Sequence, residues 1–111
     1  LRRMGRGGQT AVRQVGQLSL DINRREVRVG DGEPTSLTPL ENRLLDYLML
    51  NAGHILTVED IINHVWGAEG GDRDALRQLV RRLRAKIEPD PANPIYIETV
   101  AGLGYGVTAA A

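Results

Sequence analysis

At 111 residues the chain is one domain's worth of sequence. Its 41% hydrophobic content can fill a single core, but with one Trp and no Phe that core must be largely aliphatic. No run reaches the ~18 apolar residues of a membrane span, no secretory pattern opens the chain, and zero Cys excludes a disulfide framework and thiolate metal sites. A net charge of zero argues against a general polyanion binder.

The charge distribution qualifies that last point. Residues 1–30 carry +5, residues 31–72 carry −7, residues 73–87 carry +5 and residues 88–111 carry −3. The potential around residues 73–87 is therefore expected to be strongly positive even though the chain is neutral. The composition fits a cytoplasmic bacterial-type protein, and Leu1 in place of Met reads as a fragment or a processed chain.

Residues 1–14, rich in Gly and Arg, read as a linker or tail. Residues 15–37 hold short strands. Leu18, Leu20 and Ile22 alternate with Gln17, Ser19 and Asp21, and Val27 and Val29 flank Arg28, which is the period-2 signal of a half-buried sheet. Asp31-Gly32 offers the positive-φ positions of a tight hairpin, and Pro34 puts the next strand at an edge or keeps it very short. Thr38-Pro39-Leu40-Glu41 starts a helix: Thr38 caps, Pro39 takes the first helical position and Glu41 closes a capping box. Leu40, Leu44, Leu45, Tyr47, Leu48 and Ala52 cover a wide arc, so this helix is expected to be deeply buried, ending near a left-handed Gly53.

Thr57-Val58-Glu59-Asp60 repeats the start signature for a second helix running to about Trp66. Gly67 to Asp72 is a flexible loop. Asp72 to Glu88 is the cleanest amphipathic helix in the chain. With Leu76 at zero on a wheel of about 100° per residue, Leu79, Val80, Leu83 and Ile87 fall within roughly 60° of it. Arg77, Gln78, Arg81 and Arg82 fall on the far side, with Arg73 and Arg84 along a flank. Six Lys/Arg against one acid over residues 73–87 suit a helix that meets polyanion. Pro89, Pro91 and Pro94 then forbid helix, Tyr96 to Val100 reads as a strand, Ala101 to Gly104 as a turn, and Tyr105 to Val107 as a returning strand.

The expected fold class is α+β. A small N-terminal antiparallel sheet precedes a three-helix core and a C-terminal β-hairpin, over residues 15–108, with 109–111 as a tail. A basic helix preceded by a buttressing helix and followed by a hairpin is a winged helix-turn-helix. The major groove of duplex DNA, about 12 Å wide, admits one such helix.

Four segments sharpen this reading: Leu37-Thr38-Pro39-x-Glu41 with Leu44-Leu45; His64-Val65-Trp66-Gly67; Val80-Arg81-Arg82-Leu83-Arg84-x-Lys86-Ile87; and Ile97-x-Thr99-Val100-x-Gly102-x-Gly104-Tyr105. With these in order over residues 16–107, the chain resembles the DNA-binding effector domain of OmpR/PhoB-type response regulators of two-component systems. The resemblance implies double-stranded DNA as partner, bound sequence-specifically for transcription regulation. Arg77, Gln78, Arg81 and Arg82 form the base-facing set, although the resemblance puts Arg81 mostly at phosphate. Arg73, Arg84, Trp66, Thr99 and Tyr105 are expected at the DNA backbone, with core packing as the competing role for Trp66. It further implies an upstream receiver domain, a monomeric isolated domain that dimerises on DNA, and contact with RNA polymerase through the loop Gly67–Asp72.

Three positions depart from the family. The wing carries Ala101 where an Arg is usual and Gly106 where a basic residue is common, so a minor-groove arginine contact is expected to be weak or absent. Asn42 stands where the first helix usually has an aromatic residue. No enzyme, cofactor or metal site is expected. Gly102-x-Gly104-x-Gly106 lacks the following helix that would bind a dinucleotide, and His54 and His64 have no carboxylate at ligand spacing on a shared face. The competing function is a winged helix whose basic face binds an acidic protein instead of DNA.

Overall fold

The alternating N-terminal third forms an antiparallel sheet in the computed structural model, which describes residues 12–108. Its strands are β1 (Val12–Val15), β2 (Leu18–Asp21), β3 (Glu26–Val29) and β4 (Thr35–Ser36), in the order β1-β2-β3-β4. Leu18 and Leu20 of β2 and Val27 of β3 point into the core. β4 has only two residues and lies at the sheet edge, as Pro34 predicts. The Asp31-Gly32 turn is present, with the Gly32 N–H donating to the Val29 carbonyl at 3.0 Å, although the left-handed residue is Gly30 (φ 57°).

One boundary moves. Val12, Arg13 and Gln14, read as the end of a linker, belong to β1. Their side chains are mostly polar and exposed, so they carry no apolar alternation to reveal a strand. Pairing with β2 and an ion pair from Arg13 to Asp46 on the first helix hold the strand in place. Residues 1–11 and 109–111, the rest of the expected tails, lie outside the described residues.

Helix α1 (Pro39–Leu50) begins with the full capping box. The Thr38 hydroxyl accepts the Glu41 N–H at 3.2 Å, and the Glu41 carboxylate accepts the Thr38 N–H at 2.9 Å. A cap of this kind contributes about 1 kcal/mol. Leu44, Leu45, Leu48 and Met49 of α1 are buried. Gly53 is left-handed (φ 90°) beyond the helix end. Asn42 also has a clear role. Its amide donates to the Ile22 carbonyl at 3.1 Å, pinning α1 to the end of β2 where an aromatic side chain could only pack.

Two residues, Leu56–Thr57, form β5 and lead directly into α2 (Val58–Trp66), capped by the Thr57 hydroxyl. A 3-10 turn at Gly67–Glu69 connects to α3 (Arg73–Ile87), capped by Asp72, whose carboxylate accepts the Ala75 N–H at 2.7 Å. The C-terminal hairpin is β6 (Ile97–Val100) and β7 (Gly104–Val107), and with β5 it makes a second sheet in the order β5-β7-β6.

Ile61 and Val65 of α2 and Leu76, Leu79, Val80, Leu83 and Ile87 of α3 join α1 and the inner face of the first sheet in one aliphatic core, which Tyr96, Ile97 and Val107 close. Each fully buried Leu or Ile contributes roughly 1.5–3 kcal/mol. The apolar stripe of α3 thus fixes the rotation of that helix, and with it the direction of its arginines.

Candidate nucleic-acid interface

Five core side chains point one way from α3, so Arg73, Arg77, Gln78, Arg81 and Arg82 are left on its exposed side. Their surroundings differ. Gln78 and Arg81 make no hydrogen bond or ion pair among the described residues. Arg77 pairs with Asp74, one turn earlier on the same helix, at 3.3 Å. Arg73 reaches across to Glu59 of α2 at 2.5 Å, with both side chains 65% exposed, so this pair bridges two helices in solvent and is easily exchanged for another anion.

Two cations of α3, one turned inward and one still on the outer face, lie near the same buried carboxylate. Lys86, counted in the basic run, donates to the Ser36 carbonyl at 2.9 Å and to the buried Glu41 carboxylate at 2.6 Å. The guanidinium of Arg82, still 57% exposed, lies 3.9 Å from the same carboxylate. Burial alone would raise the Glu41 carboxyl. The Lys86 hydrogen bond, the Thr38 N–H and the Lys86 charge outweigh that and hold it below its ordinary value.

Arg84 joins the helix to the wing. It donates to the Ile97 carbonyl at 2.8 Å and to the Thr99 hydroxyl at 2.6 Å, and its guanidinium carbon lies 6.0 Å from the centre of the Tyr105 ring. Three of the residues expected at phosphates, Arg84, Thr99 and Tyr105, therefore form one cluster. Beside it runs an open trough of about 430 Å3, lined by Arg77, Val80, Arg81, Arg84, Pro91, Ala92 and Tyr105. Trp66 is half-buried and packs on the core with its ring over Gly71, where a Cβ would meet ring carbons at 2.4–2.8 Å. Trp66 thus packs against the core while remaining partly exposed.

The glycines of β7 have a structural cause. A Cβ on Gly104 would meet the Leu56 carbonyl oxygen at 1.8 Å, and one on Gly106 would meet the His54 carbonyl oxygen at 2.6 Å. The chain entering β5 lies directly against them, so no basic residue fits at 106. The wing turn Ala101-Gly102-Leu103 is exposed and carries no cation, with Gly102 at φ 78°.

Residues 32–107 match the family model described as transcriptional regulatory protein, C terminal. The chain belongs to this family. Within it, the sensory transduction protein RegX3 of Mycolicibacterium smegmatis is 47% identical over 100 residues, which are 89% of this chain and 43% of that protein. The KDP operon transcriptional regulatory protein KdpE of Escherichia coli is 39% identical over 89 residues, 79% of this chain and 39% of that protein. The chain spans less than half the length of these curated relatives.

Among solved structures, the OmpR/PhoB homolog DrrB of Thermotoga maritima superposes with a TM-score of 0.77 at 30% identity, covering 87% of this chain and 44% of that one. The RstA DNA-binding domain of Klebsiella pneumoniae, solved in complex with the RstA box, superposes with a TM-score of 0.76 at 28% identity, covering 89% of this chain and 98% of that one. The chain is an OmpR/PhoB-type winged-helix effector domain, and its relatives are transcriptional regulators. No helix among the described residues is long and apolar enough to cross a membrane.

Glu41 is the member of this effector-domain site that was not visible as such in the sequence. Its capping role could be read from Thr38-x-x-Glu41, but its partners Arg82 and Lys86 lie more than forty residues away, and no local pattern announces them. Arg43 was missed for the same reason. It donates to the Val65 carbonyl at 3.0 Å and satisfies the end of α2, the helix that supports α3.

Proposed function

We propose that the chain reads double-stranded DNA sequence-specifically, with α3 in the major groove, as the output domain of a two-component transcriptional response regulator. The observation that carries this reading is the exposed arginine row of α3, held in one rotation by the buried Leu76-Leu79-Val80-Leu83-Ile87 stripe with a wing beside it. The RstA domain, of nearly the same extent, was solved on its DNA box, which supports the reading by likeness. Arg77, Gln78, Arg81 and Arg82 face base edges, where arginine can donate two hydrogen bonds to guanine. Arg73 and the Arg84-Thr99-Tyr105 cluster hold phosphates, joined by the partly exposed Trp66.

A receiver domain upstream fits the greater length of the relatives. The isolated domain is monomeric and pairs on repeated half-sites. The loop Gly67–Asp72 stands exposed beside α2, where RNA polymerase can reach it. The protein works in the cytoplasm and is not an enzyme.

Selection from a randomised duplex pool, followed by a salt titration, tests the reading. Binding at ~50 mM salt is expected, with log K falling by about 0.9 per phosphate against log salt for ~4–6 phosphates. No duplex bound at that salt would sink it and leave an acidic protein as the partner of the basic face.

A further inference from the structure

Of the residues that face outward from α3, Arg82 alone reaches a buried charge on another helix among the described residues. Arg77 has an exposed acid on its own helix, and Gln78 and Arg81 have no partner among the described residues. The Glu41 residue is 1% exposed and its carboxylate is held through one oxygen: Oε1 accepts the Thr38 N–H at 2.9 Å and the Lys86 ammonium at 2.6 Å. That leaves Oε2 turned toward Arg82, 3.9 Å from its Nε.

We propose that Glu41 is a positioning residue whose fixed carboxylate orients the Arg82 guanidinium and so sets the base edge that Arg82 reads. The inference rests on the DNA-reading function above. An arginine carries one N–H on Nε and four on its two Nη atoms. The 3.9 Å contact is an ion pair and not a hydrogen bond; it lies on the Nε side of the guanidinium, and both Nη groups, unbonded among the described residues, are left in the planar fork that matches the O6 and N7 acceptors of guanine. A long side chain loses conformational freedom when it binds, and one already oriented loses less. Because the carboxylate is buried although Arg82 is 57% exposed, the pair is screened less than one between two exposed side chains. Lys86 supports the arrangement by fixing the carboxylate, not by touching DNA.

Glu41→Gln separates this role from capping, because Gln is the other residue that completes a capping box while lacking the charge. Wild type and E41Q are each taken through selection from randomised duplexes and a salt titration. E41Q is expected to fold and bind, with discrimination at one base pair of the site falling about tenfold. Its salt slope is expected to steepen, by about 0.9 for each freed cation that finds a phosphate. In an Arg82→Ala background, E41Q should change base preference no further. Unchanged preference and slope in E41Q would reduce Glu41 to a helix cap and overturn the inference while leaving the DNA reading intact. Absence of duplex binding by the wild type would overturn both.

If E41Q fails to fold, 15N relaxation at the arginine Nε groups of the wild type, measured without DNA, decides the matter. Arg82 Nε is expected to be more ordered than Arg81 Nε, and equal order parameters would overturn the inference.

Discussion

Arg81 and Arg82 are neighbours on α3, yet one has no partner among the described residues and the other leans on a buried carboxylate. A difference of this kind has functional weight, since a constrained arginine selects and a free one mainly attracts. Arg82→Ala is expected to cost ~1–3 kcal/mol of DNA binding and to relax preference at one base pair, checked by binding to a panel of single-base variants of the selected site. Equal weakening across the panel would mark Arg82 as a phosphate clamp.

Glu41 has a second consequence, for stability. Its carboxyl is held below its ordinary value of 4.5 in the folded protein, so the stabilisation is complete above about that pH and is lost as pH falls through the lower folded value. Urea unfolding of wild type and E41Q should therefore differ most near pH 7 and converge in strong acid. A gap that stays constant with pH would contradict the assignment. At this scale the sequence was legible wherever partners were adjacent, as in Thr38 and Glu41. It was silent on pairs made through space, such as Glu41 with Lys86. The same holds for Glu88, whose buried carboxylate accepts the N–H groups of Ile95, Tyr96 and Ile97 to start the wing.

At the scale of elements, the three helices were legible because caps and apolar stripes recur at short, regular spacing. β1 and β5 were not. β1 brings only Val15 to the core, with Arg13 beside it on the inner face, too little to reveal a strand, and β5 is a strand only because β7 pairs with it. The wing departures acquire different meanings once β5 is seen. Gly106 is dictated by the His54 carbonyl beside it, whereas Ala101 is exposed and meets no such limit. Gly106→Arg is therefore expected to lower the melting temperature, measured by circular dichroism, without tightening DNA binding. Ala101→Arg should leave the melting temperature nearly unchanged, tighten binding and steepen the salt slope by about 0.9, the signature of one more phosphate contact. An Ala101→Arg protein with wild-type affinity and slope would mean that the wing turn does not approach DNA.

At the scale of the whole molecule, zero net charge conceals a basic helix set against an acidic middle segment. Such a distribution orients the protein on a polyanion instead of making it adhere at random. Charge counting overstated the outer face of α3, because Lys86 turns inward to Glu41, Arg84 to the wing and part of Arg82 to the core. What remains outward is a short set of side chains on a rigid helix, flanked by a wing turn without a cation. On the proposed function, that balance puts recognition in the major groove through α3, with little contribution from the minor groove. Methylation interference on the selected duplex tests it most directly, because guanine N7 lies in the major groove and adenine N3 in the minor. Methylation at guanine N7 within the site should block binding while methylation at adenine N3 is tolerated, and the opposite pattern would contradict the account.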